Sequence, residues 1–191
     1  RRLQSDYERL LSFIKLQPRL RLIQAEGQPP ERYQVEYHIR GLRQVDDQLQ
    51  VADQHLVEIS LPRNYPRTPP QCRMLTPIFH PNVSFSGLIR LLDIGMAWDK
   101  DLSLDVLCER LWDMARLAFM DLDKAANFSA RNWAADPAGF QFPIDSRRLR
   151  EAAPTTLSNV VRYERRGGDR FSWPKGEPSG EVLYIGQQYD I

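Results

Sequence analysis

The sequence predicts an α+β domain in which an amphipathic helix is followed by a meander of antiparallel strands and then by further helices. Two kinds of hydrophobic pattern support this prediction. Near the start of the chain, apolar residues recur at helical spacing: Leu3, Tyr7, Leu10, Leu11 and Ile14. Residues 32–40 and 54–61 are rich in β-branched and aromatic residues, which is typical of strands. A chain of 191 residues is long enough for one domain with a complete core and an appendage.

Proline, glycine and aspartate set the expected boundaries in the first half of the chain. In chain order, the expected features are a helix ending near Pro18, a strand over 32–40 stopped at Gly41, a polar turn at Asp46 and Asp47, a strand over 54–61 ended by Pro62 and a strand over 71–75.

The second half is predicted to be a long ordered loop followed by helices. Residues 79–97 show poor periodicity and many turn residues, with a short strand expected near 88–92. Long loops without regular structure inside a compact domain are usually functional. Ser103 is expected to cap a central helix that carries one apolar stripe and runs to about Met120. Further helices are expected over 124–135 and 145–152.

The composition shifts after Pro154, where glycine, arginine and turn-forming residues become frequent. We therefore expect a domain over residues 1–153 and a C-terminal extension over 154–191. Residues 170–173 and 181–185 can pair as a hairpin around a turn-forming segment. Because an isolated hairpin is only marginally stable in water, we expect it to pack on the domain or on a partner.

Composition argues against several classes of partner. The net charge of +1 gives no electrostatic reason to expect nucleic acid or an anionic membrane as a partner. No apolar run approaches the length of a membrane span, and no signal-peptide pattern is present. Two cysteines provide neither a disulfide framework nor a metal-ligand spacing, so we expect a cytoplasmic protein without a metal or a cofactor. Only four of the 26 basic residues are lysines.

Several short motifs occur in a fixed order between residues 65 and 104. They are Tyr65-Pro66-Arg67-Thr68-Pro69-Pro70, then Phe79-His80-Pro81-Asn82, then Gly87-Leu88-Ile89-Arg90-Leu91, and then Trp98 followed by Leu102-Ser103-Leu104. Together with the helix and the meander, this order resembles the ubiquitin-conjugating enzyme family over about residues 3–150. The resemblance implies the family's fold. The arginine-rich composition would suit a bacterial ubiquitin-like pathway.

Arg90 departs from the family's pattern at its central residue. In that family, the position between the isoleucine and the leucine holds the cysteine that accepts ubiquitin as a thioester. A thiol suits this step because part of it is ionised near neutral pH. The guanidinium of arginine stays protonated and is not a nucleophile, so Arg90 cannot hold a thioester. Either the lineage lost the thiol and kept the surface, or the arginine was introduced deliberately. An exposed arginine here could also bind a carboxylate.

Four other residues are candidates to replace the thiol. Cys72 and Cys108 lie in apolar patterns and are expected to be buried. Ser84 and Ser86 lie in the loop after Asn82 and could carry an oxyester if a neighbouring base activated one of them. The candidate bases are His80, Asp93 and Asp99.

Two residues of the Phe79–Asn82 motif invite a structural and a chemical interpretation. His80 is expected to make structural hydrogen bonds that hold the loop. By resemblance, Asn82 either stabilises an oxyanion as an amine attacks the carrier's carbonyl group or supports the loop.

Three functions therefore stay open. The first is a binding or scaffolding protein of a ubiquitin-like pathway, with the carrier, its activating enzyme or an active conjugating enzyme as partner. By resemblance, the activating-enzyme surface includes Arg1, Arg2 and Arg9. The second is an enzyme that uses Ser84 or Ser86. The third is an interaction module like the RWD domains, which share the fold, unrelated to ubiquitin transfer.

Overall fold

The computed structural model describes residues 1–150. The predicted hairpin and the extension over 154–191 lie outside the described residues. Contacts group residues 1–149 into one compact unit. No helix within the described part of the chain is long and apolar enough to cross a membrane.

The predicted α+β class is confirmed, with an N-terminal helix followed by an antiparallel sheet. Helix α1 spans Arg2–Lys15 and packs its apolar side on the sheet and on the central helix, with Leu10 fully buried. The strands are β1 (Leu20–Gly27), β2 (Pro30–Tyr37), β3 (Gly41–Val45), β4 (Gln48–Ala52), β5 (His55–Ser60), β6 (Gln71–Met74) and β7 (Leu88–Ile89). Five of them form one sheet in the order β1-β2-β5-β6-β7, and β3 pairs with β4 in a separate two-stranded sheet.

The predicted meander lacked strands β1, β3 and β4, and Gly41, expected to stop a strand, begins β3. In β1, a register shift between Leu22 and Gln24 interrupts the alternation of apolar and polar residues, and Ile23 is left exposed. Strand β4 has no fully buried residue, and its apolar face consists of only Leu49 and Val51, which is too short an alternation to predict a strand. The turn between β3 and β4 was located correctly: Asp46 and Asp47 adopt positive φ angles of 47° and 60°, as a tight hairpin turn requires.

The predicted helices are shorter in the structure. Central helix α2 covers Leu104–Ala115 and ends before Leu117, which has a φ of 58°. Ser103 precedes α2 as expected, but its side chain makes no capping hydrogen bond. Helix α3 covers Phe128–Ala135 and begins at Asn127, whose side chain accepts a hydrogen bond from the backbone N–H of Ala130.

One predicted strand is shorter in the structure, and one predicted helix is absent from the described residues. The strand expected near 88–92 stops at Ile89, and a 3₁₀ helix follows over Leu91–Ile94. Residues 145–150 form no helix, and their polar groups bond both to one another and to distant parts of the domain. The indole N–H of Trp112, for example, donates to the carbonyl of Arg147 at 2.9 Å.

Two apolar clusters hold the domain together. The larger lies between the sheet and α2 and includes the fully buried Tyr37, Leu107 and Trp112. The smaller contains Leu42, Phe79, Leu117 and Ala130. Trp133 covers the smaller cluster and meets three phenylalanine rings edge-on, namely Phe79, Phe140 and Phe142, at centroid distances of 5.5–5.6 Å. This packing fixes the segment after α2 against the loop that begins at Phe79.

Candidate functional site

Arg90 directly follows the edge strand β7, and the alternation of side chains along this strand directs Arg90 towards solvent. Strand β7 pairs with β6 so that Ile89 faces Cys72 in the core, while Leu88 faces Arg73 on the opposite side. Arg90 keeps an extended backbone, with φ −92° and ψ 122°. It therefore follows Leu88 onto the exposed face, and 68% of its side chain is accessible to solvent.

A buried carboxylate holds the Arg90 side chain. The Nε–H of Arg90 donates to Oδ2 of Asp93 at 2.6 Å, and only 5% of the Asp93 side chain is exposed. The backbone N–H of Asp93 in turn donates to the Arg90 carbonyl at 3.0 Å, because the chain enters the 3₁₀ helix here. Asp93, predicted as a base for the serines, is thus the ion-pair partner of Arg90.

His80 is buried and structural in its contacts. Its Nδ1 accepts the backbone N–H of Asn82 at 3.0 Å, so its proton resides on Nε2, which donates to the Phe119 carbonyl at 3.1 Å. Burial lowers the pKa of His80 to about 4. Both ring nitrogens are therefore occupied by backbone groups, which fits the expected structural role.

Asn82 links the loop to a distant segment. Its side-chain N–H groups donate to the carbonyls of Asp121 at 2.7 Å and Lys124 at 3.1 Å, and its Oδ1 accepts the backbone N–H of Asp121 at 2.8 Å. The neighbouring Pro81 carbonyl accepts two further backbone N–H groups, from Ala126 and Asn127. Asn82 is almost completely buried, and these contacts match loop support.

Ser84 and Ser86 lie in the turn before β7. The Oγ of Ser84 accepts the backbone N–H of Leu88 at 3.0 Å and lies 2.9 Å from the Oγ of Ser86. Within residues 1–150, no hydrogen bond joins either hydroxyl to a predicted base. His80 is bonded to backbone groups, Asp93 is paired with Arg90, and the third candidate, Asp99, accepts the backbone N–H of Asp101. The contacts of both serines are those of turn residues.

Both cysteines of the chain are buried, as predicted. Cys72 and Cys108 have no exposed surface and belong to the larger core cluster. Burial raises the pKa of the Cys72 thiol, which further disfavours the reactive thiolate. Neither thiol can meet a partner at the surface of the folded domain.

The Tyr65–Pro70 motif joins the first helix to the loop around Trp98. The Tyr65 hydroxyl donates to Oδ2 of Asp6 at 2.6 Å, and the indole N–H of Trp98 donates to the Pro66 carbonyl at 2.8 Å. The Tyr65 and Trp98 rings lie 5.9 Å apart. At the end of the motif, Pro69 is exposed and Pro70 is buried.

Two of the three predicted partner-binding arginines are engaged within the domain. Arg2 donates to Asp6 at 2.6 Å and to the Leu102 carbonyl at 2.6 Å, and its hydrogen bond to Asp6 raises its pKa. Arg9 pairs with Asp105 of α2 at 2.9 Å. Arg1 is exposed. Arg2 and Arg9 thus tie α1 to the start of α2, and a role in partner binding stays a prediction for all three.

Two contacts at the site were missed from sequence. The Arg90–Asp93 pair depends on a 3₁₀ turn that was expected to be a strand. The Asp6–Tyr65 bond joins residues 59 positions apart, and its only local signal is the spacing of Arg2 and Asp6 on one helix face.

The described geometry agrees with a known family. The family model described as ubiquitin-conjugating enzyme matches residues 43–144, which is more than half of the chain. The chain therefore belongs to the ubiquitin-conjugating enzyme family.

Individual relatives match over shorter segments. The chain is 35% identical over 77 residues to ubiquitin-conjugating enzyme E2 pex4 of Dictyostelium discoideum, covering 40% of this chain and 50% of that protein. It is 38% identical over 84 residues to protein PEROXIN-4 of Arabidopsis thaliana, covering 42% and 52%. The chain thus spans about half the length of these curated relatives.

A solved structure shows the same fold. A ubiquitin conjugating enzyme from Trypanosoma cruzi superposes with a TM-score of 0.50 at 15% identity, covering 70% of this chain and 88% of that one. At this identity, the likeness concerns the fold alone.

Proposed function

We propose that this protein binds components of a ubiquitin-like modification pathway without forming a cysteine thioester. Its partners would be the ubiquitin-like carrier, the activating enzyme or an active conjugating enzyme. The observation that carries the proposal is the position of Arg90, which is exposed after β7 where the family resemblance expects the acceptor cysteine. Both thiols of the chain lie in the core and cannot take over its role.

The retained surroundings of Arg90 support a binding function. His80 and Asn82 still bond the loop to residues 119–124, and Tyr65 and Trp98 still join α1 to the neighbouring loop. These contacts keep the surface ordered although the residue at its centre cannot perform the transfer. The family match also favours this function over an RWD-like module unrelated to ubiquitin transfer.

An oxyester mechanism has less support. A serine needs a base within hydrogen-bond reach to become a nucleophile. In the described residues, the Ser84 hydroxyl instead accepts a backbone N–H and contacts Ser86.

A charging assay tests the proposal. The purified protein is incubated with an activating enzyme, ATP and its ubiquitin-like carrier, and adducts are separated with and without reducing agent. We expect no adduct with the wild type, but binding of the carrier or the activating enzyme in a pull-down. We expect Arg90→Cys to form an adduct that reducing agent removes, because it restores an exposed thiol at this position.

Arg67→Cys is the matched control, since Arg67 is also an exposed loop arginine. It should form no adduct. A wild-type adduct that survives reducing agent and is lost in Ser84→Ala or Ser86→Ala would establish the oxyester mechanism instead. Absence of binding to every pathway component, together with no charging of Arg90→Cys, would contradict the proposal and favour an unrelated interaction module.

A further inference from the structure

The guanidinium of Arg90 is fixed at one edge and open at its end. Its Nε–H is bonded to the buried Asp93 carboxylate, which is itself held by the chain turn into the 3₁₀ helix. Within residues 1–150, its two terminal nitrogens make no hydrogen bond, and the side chain is largely exposed. The terminal nitrogens therefore present two donors whose spacing matches the two oxygens of a carboxylate.

The surface around this arginine is apolar on both sides. Leu88 and Leu92 are 43% and 65% exposed, two positions before and after Arg90. Strand pairing places Arg73 opposite Leu88 on the same face, and Glu58 opposite Arg73. Asp93 forms an ion pair with Arg90, and Glu58 lies opposite Arg73 on the neighbouring strand. The two acidic residues therefore offset the positive charge of the two arginines on this surface. Such a surface suits one carboxylate attached to an apolar chain better than a run of acidic residues.

We propose that Arg90 binds the free C-terminal carboxylate of an extended protein tail, with the apolar atoms of the tail against Leu88 and Leu92. This inference rests on the proposed function, which brings the tail of a carrier protein to this surface. The carboxylate is held by hydrogen bonds and charge, and no covalent bond forms. Asp93 is a positioning residue, because it orients the guanidinium through Nε.

Peptide titration of the ¹⁵N-labelled full chain, followed by NMR, tests the inference. The probes are acetyl-Leu-Gly-Gly with a free carboxylate, the same peptide with a C-terminal amide, and acetyl-Leu-Asp-Gly amide, which carries its carboxylate on a side chain. We expect the first probe to shift the Arg90 Nε–H signal and the Leu88 and Leu92 amides. It should bind about tenfold more tightly than either other probe, since it forms charge-assisted hydrogen bonds from a chain end.

Variants locate the effect. Arg90→Gln should abolish the preference for the free carboxylate, and Arg90→Lys should lose most of it, because lysine keeps the charge without the planar pair of donors. Arg43→Gln, on the separate β3–β4 sheet, is the matched control and should bind as the wild type does. Equal binding of the carboxylate and amide peptides, or an unchanged preference in Arg90→Gln, would overturn the inference. Equal binding of the aspartate peptide would overturn the assignment to a chain end.

The peptides contain no pathway component, so the two proposals fail separately. The protein could show a carboxylate preference that depends on Arg90 and yet bind no carrier or activating enzyme. This result would contradict the proposed function and support the carboxylate site. If amidation of the carrier's C-terminus leaves carrier binding unchanged, the carboxylate site is contradicted and the proposed function is supported.

Discussion

Single buried polar residues control the shape of the candidate site. Arg90 is exposed, but its partner Asp93 and the loop residues His80 and Asn82 are almost completely buried. A buried polar group that loses its partner is costly, so each of these residues has strong consequences for the loop. The surface around Arg90 therefore depends on hydrogen bonds that are themselves protected from water.

The buried His80 makes stability depend on pH. Its pKa in the folded protein is about 4, against about 6.5 for an exposed histidine. Between these values the unfolded chain binds more protons than the folded one, so the free energy of unfolding falls as the pH drops. At pH 4, the lowered pKa of His80 reduces the free energy of unfolding by about 3 kcal/mol relative to neutral pH. We expect His80→Gln, whose side chain offers an acceptor and a donor but does not titrate, to lose less stability than the wild type between pH 7 and about pH 4.5 in urea unfolding. Parallel pH dependences would contradict this.

Asn82 should be important for stability as well as for any binding. Asn82→Ala removes the three hydrogen bonds of a nearly fully buried side chain and leaves the N–H of Asp121 without its acceptor. We expect a loss of about 2–3 kcal/mol in the free energy of unfolding, measured by urea denaturation. Asn132→Ala, on an exposed position of α3, serves as the control and should stay within about 0.5 kcal/mol of the wild type. A loss for Asn82→Ala no larger than for the control would show that these bonds contribute little.

At the scale of elements, local motifs were predictable and their long-range partners were not. The order of motifs from Tyr65 to Trp98 predicts the position of the loop and of Arg90 within it. The Arg90–Asp93 pair was missed because residues three apart in a strand face opposite sides, whereas the 3₁₀ turn brings them together. The partners of Asn82 lie 39 and 42 positions away, and no sequence pattern encodes such a pairing.

The turn before β7 depends on a glycine. Gly87 has a φ of +81°, and a Cβ atom there would lie 2.1 Å from the Met74 carbonyl oxygen. We expect Gly87→Ala to cost more than the roughly 1–2 kcal/mol of conformational strain alone, because the backbone of β6 must also move. Gly139 provides a matched control: its φ is +83°, but nothing lies within 4 Å of a Cβ atom.

Comparing the two alanine variants by thermal unfolding separates strain from overlap. Gly139→Ala should lower stability by about 1–2 kcal/mol and Gly87→Ala by clearly more. Equal losses would mean that β6 accommodates the extra atom without cost.

At the scale of the whole molecule, the last described residues close the domain. The carboxylate of Asp145 is completely buried and accepts the backbone N–H of Arg40 at 3.2 Å and Nε–H of Arg147 at 2.8 Å. The hydrogen bond from Arg147 is the main cause of the lowered pKa of Asp145. Leu149 then enters the larger core cluster. These contacts join the chain after α3 to the sheet and to α2.

We therefore propose that residues 1–153 form an independently folding domain. A chain ending at residue 153 retains Asp145 and Leu149 and should unfold in one cooperative transition, measured by circular dichroism in urea. A chain ending at Pro143 loses both residues and the acceptor of the Trp112 indole N–H, and it leaves Arg116 buried without the Asp145 carbonyl to which it donates at 3.0 Å. Losing Leu149 from the core and the hydrogen-bond partners of two buried donors costs about 1–3 kcal/mol each, which together is a large part of the stability of a domain, so the shorter chain should be mostly unfolded. A cooperative transition for the chain ending at Pro143, or none for the chain ending at residue 153, would place the domain boundary elsewhere.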